Sequence, residues 1–298
     1  MWVVKYRKIF YIFSGILIIA SILSLSIWHL KPGIDFTGGT LVEVQYTAGF
    51  PEQSALVSAL APVDPSVSVR PSGTDTYIVR MKAISQAEKA TVMTALALNG
   101  SASTTIKTFD SIGPILGYEA LIKSLVSIVL VIIGIILYIT FAFRKVSEPI
   151  SSWKYGLTAV IALAHDVIIP IGVFSILGHF AGYEVDTLFV TALLVILGFS
   201  VHDTIVVFDR VRENLLHASA NKPFENIVGE SVSQTFTRSI NTSLTTLIAL
   251  VVLYILGGST TEHFSLALII GIAVGTYSSI FIGSPLLVTI QKFQKRKK

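Results

Sequence analysis

Between Ile9 and Trp28 the chain runs for 20 residues without a single charge, preceded by Lys5, Arg7 and Lys8. A stretch of that length matches the hydrocarbon thickness of a bilayer, so lipid, not water, is the solvent to reason about. Five more stretches have the same character: Ser124 to Phe143, Tyr155 to Gly178, Thr187 to Phe208, Ser239 to Gly257 and Phe264 to Ile290. Six spans make a polytopic membrane protein. The charged share of 13% is about half the usual quarter, too little to cover a water-soluble surface, and the mean hydropathy is +0.74. A basic start before an apolar run also fits a signal peptide. This run is too long for one, and Trp28-His29-Leu30-Lys31 offers no small-residue cleavage site. An uncleaved anchor is expected.

Lys and Arg fix the orientation. They gather at the N-terminus, in the 144–154 loop (opened by Arg144 and Lys145), in the 209–238 segment and in the tail Lys295-Arg296-Lys297-Lys298; loops 179–186 and 258–263 hold none. Both termini are therefore predicted to be cytoplasmic, and the basic tail reads as an anchor facing anionic lipid. The predicted organisation is residues 1–30 for the N-terminus and first span, 31–123 for an extracytoplasmic domain, 124–290 for the other five spans with an amphipathic cytoplasmic segment at 209–238, and 291–298 for the tail. The outside domain reads as a small α+β unit. Leu41–Tyr46 alternates like a strand, Glu52–Ala61 is helix-like, and Val67–Val69 and Tyr77–Met81 flank the turn-rich Pro71–Asp75. Ser85 with Glu88 forms a capping box for a helix to Leu98, and Thr104–Phe109 is a last strand. The order β-α-β-β-α-β is ferredoxin-like.

Several engines are excluded. Zero cysteines remove disulfides, thiolate metal sites and Cys nucleophiles. No Gly-Lys dipeptide occurs, so there is no P-loop, and neither H-E-x-x-H nor G-x-G-x-x-G is present. No cofactor is implied, no nucleic-acid partner is called for, and the chain does not read as an enzyme. What remains is the set of ionisable groups in lipid, each costing at least ~2.5–3.5 kcal/mol at the bilayer centre and so needing a partner, water or a function. These are His165-Asp166 in the third span, His202-Asp203 in the fourth and Arg238 at the start of the fifth. Asp203 lies 16 residues after Thr187, ~24 Å along a helix. It is either a proton-pathway group or half of a buried ion pair with Arg238. Asp166 is either a second such group or is satisfied by a neighbouring Ser or Thr. His202 either tunes Asp203 or packs against backbone carbonyls. Beyond Phe208 the helix continues into the interface with Asp209–Arg212 and Arg210–Glu213 as i,i+3 pairs.

These residues match a known family. Gly198 to Asn214, G-F-S-V-H-D-T-I-V-V-F-D-R-V-R-E-N, resembles the signature of SecF, the smaller membrane subunit of the bacterial SecD–SecF export complex. So do Gly33-Ile34-Asp35-Phe36-Thr37-Gly38-Gly39-Thr40, Ala164-His165-Asp166 and Arg238-Ser239-Ile240-Asn241-Thr242-Ser243. The resemblance implies a six-helix transmembrane bundle, one half of a resistance–nodulation–division (RND) machine, in the bacterial inner membrane. It implies use of the proton-motive force (H⁺, or Na⁺ in some relatives) to complete protein export. The implied partners are SecD, the SecYEG channel, the SecA ATPase, YajC, YidC and preprotein substrates. Carried over by position, Asp203 resembles the family's proton-pathway aspartate and Arg238 its charged partner. Gly33, Asp35, Phe36, Gly38 and Gly39 resemble its motif at the membrane–domain junction. One departure is His202, where the family more usually has Asn. Other classes stay open: a stand-alone RND exporter of lipids or small molecules, an intramembrane hydrolase using Ser200 with His165 as base, and a metal site from His165, Asp166, His202 and Asp203.

Overall fold

The computed structural model describes residues 2–143, 152–219 and 221–296. Arg144, Lys145, Lys297 and Lys298, which the charge count placed at loop and tail, lie outside them. In chain order the elements are α1 (Trp2–Lys5), α2 (Arg7–Trp28), α3 (Ile34–Thr37), β1 (Gly39–Ala48), α4 (Gln53–Leu60), β2 (Ser68–Ser72), β3 (Thr76–Met81), α5 (Gln86–Leu96) and β4 (Ser103–Ile112). They continue as α6 (Pro114–Ala142), α7 (Ser152–Phe180), α8 (Thr187–His217), α9 (Phe224–Leu256), α10 (Ser259–Ser278) and α11 (Ser284–Arg296), with a π-helical turn, Ser279–Gly283, between the last two. The chain divides into a helical unit, 1–31 with 126–298, and a sheet unit, 32–125.

Among the described residues six helices are long and apolar enough to cross a membrane: Arg7–Trp28, Pro114–Ala142, Trp153–Phe180, Thr187–His217, Phe224–Leu256 and Thr261–Gln294. α8 runs on to His217 and α9 starts at Phe224, so the polar residues extend the two spans as helix. Charges at i,i+3 support that extension, with Arg210 on Glu213 at 2.6 Å and Arg212 on Asp209 at 3.2 Å.

The helical unit packs with its polar groups inward. On α2, Ser14, Ser21 and Ser24 are buried while Ile9, Ile12, Ile16, Ile19 and Ile22 are exposed, the reverse of a water-soluble helix. Lipid gives no reward for hiding Ile, so small residues and interhelical hydrogen bonds hold such helices together. The Ser24 hydroxyl donates to the Gly172 carbonyl at 2.7 Å, and Ser175 donates back to the Ser24 carbonyl at 3.0 Å. A Cβ on Gly172 would collide with Ser21, so α2 and α7 approach at backbone distance there.

In the sheet unit the strands lie in the order β2-β3-β1-β4, all antiparallel, and with α4 and α5 they form the ferredoxin-like arrangement. The period of two puts Val42, Val44 and Tyr46 of β1 and Tyr77, Val79 and Met81 of β3 on the core side. Leu56 and Leu60 of α4 and Val92 and Leu96 of α5 cover that face. Ser85 and Glu88 form the reciprocal capping box. Outside the membrane-length helices, Asp64 is held below the usual carboxylate range, first by the Ser66 hydroxyl and also by the Lys82 backbone N–H.

Gly38 and Gly39 hold the turn between α3 and β1 at φ +73° and +130°, a region L side chains avoid. Space is also lacking. A Cβ at Gly38 would stand 2.7 Å from the Pro114 Cα, and one at Gly117 would stand 2.8 Å from the Gly38 nitrogen. The Gly-Gly pair is therefore a backbone requirement for seating α6 against this turn. Gly38→Ala is expected to destabilise the full-length chain in detergent by about 1–3 kcal/mol, read by thermal unfolding. Gly113→Ala, where no atom lies within 4 Å, is expected to stay within about 0.5 kcal/mol of the parent.

Candidate functional site: two carboxylates in the helical unit

Asp166 is fully buried in the middle of α7 and meets a donor on every side. The His165 Nδ1 lies 2.8 Å from Oδ1, the Ser278 hydroxyl donates to Oδ2 at 2.7 Å, and the Ser200 hydroxyl donates to the same oxygen. His165 is itself buried, and its Nε2 lies 3.1 Å from the Ser14 hydroxyl. One carboxylate thus gathers α7, α8 and α10, and through His165 also α2. A buried charge persists only when its acceptor sites are filled. This hub fills them with short side chains that leave the helices close together.

The close approach is prepared on α10. Gly271 and Gly275 form a small-xxx-small pair. A Cβ on Gly271 would run into Ile196 of α8, and one on Gly275 would stand 3.1 Å from the Ser200 Cβ and 3.6 Å from Asp166 Oδ2. Ile196 and Ser200 are one turn apart on α8, so the two glycines form the bed on which α8 lies.

Asp203 is one turn beyond Ser200 on α8 and 3% exposed. Its surroundings differ from those of Asp166. Its Oδ2 has no hydrogen-bond partner among the described residues, and neither does the buried Ser239 hydroxyl of α9. The Ser239 hydroxyl stands beside the Asp203 carboxyl without closing a well-formed hydrogen bond, and the charges of His202 and Arg238 act on the same group. Among the described residues Arg238 makes no ion pair with Asp203; it is exposed on α9. His202 is exposed too, so the expectation that it packs against carbonyls is not met. Arg238, Asn241, Thr242 and Thr245 are all exposed and fall at i, i+3, i+4 and i+7, one polar stripe along the surface of a membrane-length helix.

The other sequence candidates separate cleanly. Gly33, Asp35, Phe36, Gly38 and Gly39 sit in the sheet unit, with Gly33 as N-cap of α3 and Phe36 buried. Asp209, Arg210, Arg212 and Glu213 form the surface pairs of α8 described above. The hydrolase arrangement fails on geometry, because Ser200 is spent on Asp166 and both His165 nitrogens are engaged elsewhere. The metal reading fails as well, since exposed His202 does not join the buried His165 and Asp166. Sequence reasoning missed Ser14 and Ser278 as partners of the hub. The Gly271–Gly275 pair was visible as G-x-x-x-G in an apolar run, and it points to the helix face involved.

The chain is similar over 97% of its length to the crystal structure of SecDF from a Thermus species, a translocon-associated membrane protein, with TM-score 0.80 and 29% identity. It spans 38% of that longer chain. A second SecDF structure, in a super-membrane-facing form, matches with TM-score 0.66 and 28% identity. Fold and site define an RND-type membrane protein that carries a small sheet domain. The family described as "Protein export membrane protein SecD/SecF, C-terminal" matches residues 91–293, and the SecD/SecF GG motif matches residues 29–49. Protein translocase subunit SecF of Thermobaculum terrenum is 43% identical over 96% of this chain and 93% of its own length; that of Sebaldella termitidis is 38% identical over 99% and 93%. The chain belongs to the SecF family of protein translocase subunits.

Ser278→Ala removes a donor to a buried carboxyl group. It is expected to destabilise the chain by at least about 1.5 kcal/mol, well above the ~0.6 kcal/mol average for hydrogen bonds between membrane helices. Denaturation by SDS from mixed micelles measures it. Thr191→Ala, at an exposed hydroxyl bonded only to its own helix, should change little.

Proposed function

We propose that this chain is the smaller half of an ion-driven protein-export machine in the bacterial inner membrane, and that Asp203 is the carboxylate through which it uses the proton-motive force. The observation that carries the reading is the pairing of depth with incompleteness: Asp203 is buried in a membrane-length helix with an acceptor oxygen unmet among the described residues. A carboxylate that ties helices together has its sites filled, as Asp166 does. An open site lets a carboxylate change its protonation state without breaking such ties, because its two states make different demands on their surroundings. Burial in apolar surroundings favours the neutral form, and a nearby guanidinium favours the charged one. A changing distance to Arg238 therefore suffices to load and unload it. One charge crossing the membrane potential releases ~2.3 kcal/mol per 100 mV, enough to bias a conformational change without nucleotide.

The same reading calls for a partner. A stripe of Arg238, Asn241, Thr242 and Thr245 facing hydrocarbon is costly, and exposed His202 adds to it. A SecD-type subunit covering this face would satisfy these groups and complete the coupling site, which in such transporters lies between two repeats. The relatives' SecDF structures and the share this chain has of them support that partner. SecYEG and SecA, with YajC and YidC, act on the same substrate in this scheme. Both termini are assigned to the cytoplasm and residues 31–123 to the outer side, on the distribution of Lys and Arg. His202 then sits beside the coupling carboxylate as a second titratable group facing the partner.

Preprotein export by vesicles holding this chain and its cognate SecD-type subunit tests the proposal. Asp203→Asn, at matched assembly, is expected to reduce gradient-driven export to the level seen without a gradient while SecA-driven initiation persists. Normal gradient-driven export by Asp203→Asn contradicts it.

A further inference from the structure

The contacts of the Asp166 hub fit one protonation state better than the other. An ionised carboxylate accepts from all three of its donors at once. A carboxylic acid must use one oxygen as a donor. Ser200 and Ser278 share Oδ2, and His165 takes Oδ1. A proton on Oδ1 reverses the His165 contact, which lies within α7, whereas a proton on Oδ2 displaces one of the two serine donors. In a buried network the loss of one bond strands the others, since no water replaces it. The cohesion of α7, α8 and α10 at this level therefore depends on Oδ2, the oxygen that α8 and α10 share, staying unprotonated.

Two neighbouring features give that dependence a mechanical outlet. At the contact of α8 with α10, Ile196 seats its side chain in the notch at Gly271, while Ser200 one turn on faces bare backbone at Gly275. Immediately after Ser278 the sixth span departs from α-helical geometry into the π turn Ser279–Gly283. Single π turns inside helices concentrate at functional sites. A helix with such a turn already holds an altered hydrogen-bond register on which a shift can be absorbed.

We propose that the Asp166 hub is a latch between α8 and the sixth span, closed while Asp166 is charged and released when Asp166 takes a proton, with the π turn absorbing the displacement. This rests on the reading of the chain as an ion-driven subunit and adds a second station to it. Asp203 is one turn from Ser200 on the same helix, so release of Ser200 from Asp166 moves Asp203 along with it. The two carboxylates are linked through the backbone of α8, without a direct contact. Of the titratable groups around the hub, His165 is a member of it. Tyr277 of α10 holds its ring 6.2 Å from that of His165, Tyr11 of α2 is hydrogen bonded to Thr289, and on α8 Asp203 lies one turn from Ser200, while Asp209 and Glu213 farther along are paired with Arg212 and Arg210. Ser200 and Ser278 are positioning residues in this scheme and carry no proton themselves.

The chain has no cysteine, so a cross-link can be placed without removing native thiols. Ser200→Cys with Gly275→Cys sets two Cβ positions 3.1 Å apart, a few tenths of an ångström short of the ~3.5–4.5 Å of disulfides and within reach of a small adjustment. In vesicles holding the complete complex, oxidation is expected to arrest gradient-driven export and reductant to restore it, with each single-cysteine chain indifferent to oxidant. Asp166→Asn, which holds the hub uncharged, is expected to assemble with the partner but lose its response to the gradient, and Asp166→Glu to recover part of it. Export by the cross-linked complex at the rate of the reduced one overturns the latch. So does an Asp166→Asn chain that responds to the gradient as the parent does. Failure of the underlying reading looks different, because export by the unsubstituted complex would then ignore the gradient altogether.

Discussion

A carboxylate buried in lipid has to be matched oxygen by oxygen, and the helical unit is arranged around that demand. Asp166 meets it with His165, Ser200 and Ser278. Supplying those donors requires serines on α8 and α10 and, through His165, on α2. Short donors reach only when the helices lie close, and that explains Gly271, Gly275 and Gly172, where a Cβ would strike the neighbouring helix. On α2 the isoleucines are left for the outside, where they meet hydrocarbon at no cost, while Ser14, Ser21 and Ser24 turn inward. Elsewhere Ile139, Ile196 and Ile280 pack inside.

Asp203 departs from that rule within the same helix. One turn separates it from Ser200, yet its Oδ2 and the Ser239 hydroxyl are both unmet among the described residues. The contrast lies in the contacts: Asp166 is met on both oxygens, Asp203 only in part. In the proposed reading, the exposed stripe on α9 and exposed His202 are where a partner half would complete the site. The sheet unit has its own core and its own constraint, the Gly38–Gly39 turn seated against the start of α6.

Much of this was legible in the residues. Apolar runs gave the six spans, because lipid imposes a length that composition alone reveals, and alternation with turn residues gave the ferredoxin-like order. The continuation of the helix beyond Phe208 was legible in the i,i+3 pairing of Asp209 with Arg212 and Arg210 with Glu213, and α8 runs on to His217. The hub was only half legible. His165 and Asp166 stand out as charges in a span, but Ser14 lies 151 residues away in sequence, and nothing local marks it as a partner. Ser278 is one serine among several in the sixth span. An ion pair between Asp203 and Arg238 looked natural from sign and order in the chain. It is not formed because Arg238 turns to the surface.

The central claim is that Asp203 gains and loses a proton as the ion gradient is applied. Infrared difference spectroscopy on the complex in liposomes tests it most directly, comparing spectra with and without an imposed gradient. The account predicts a carboxylic acid C=O component that responds to the gradient and is lost in the Asp203→Asn complex, distinct from the component that Asp166→Asn removes. A spectrum with no such band, or a band that survives Asp203→Asn unchanged, would contradict it.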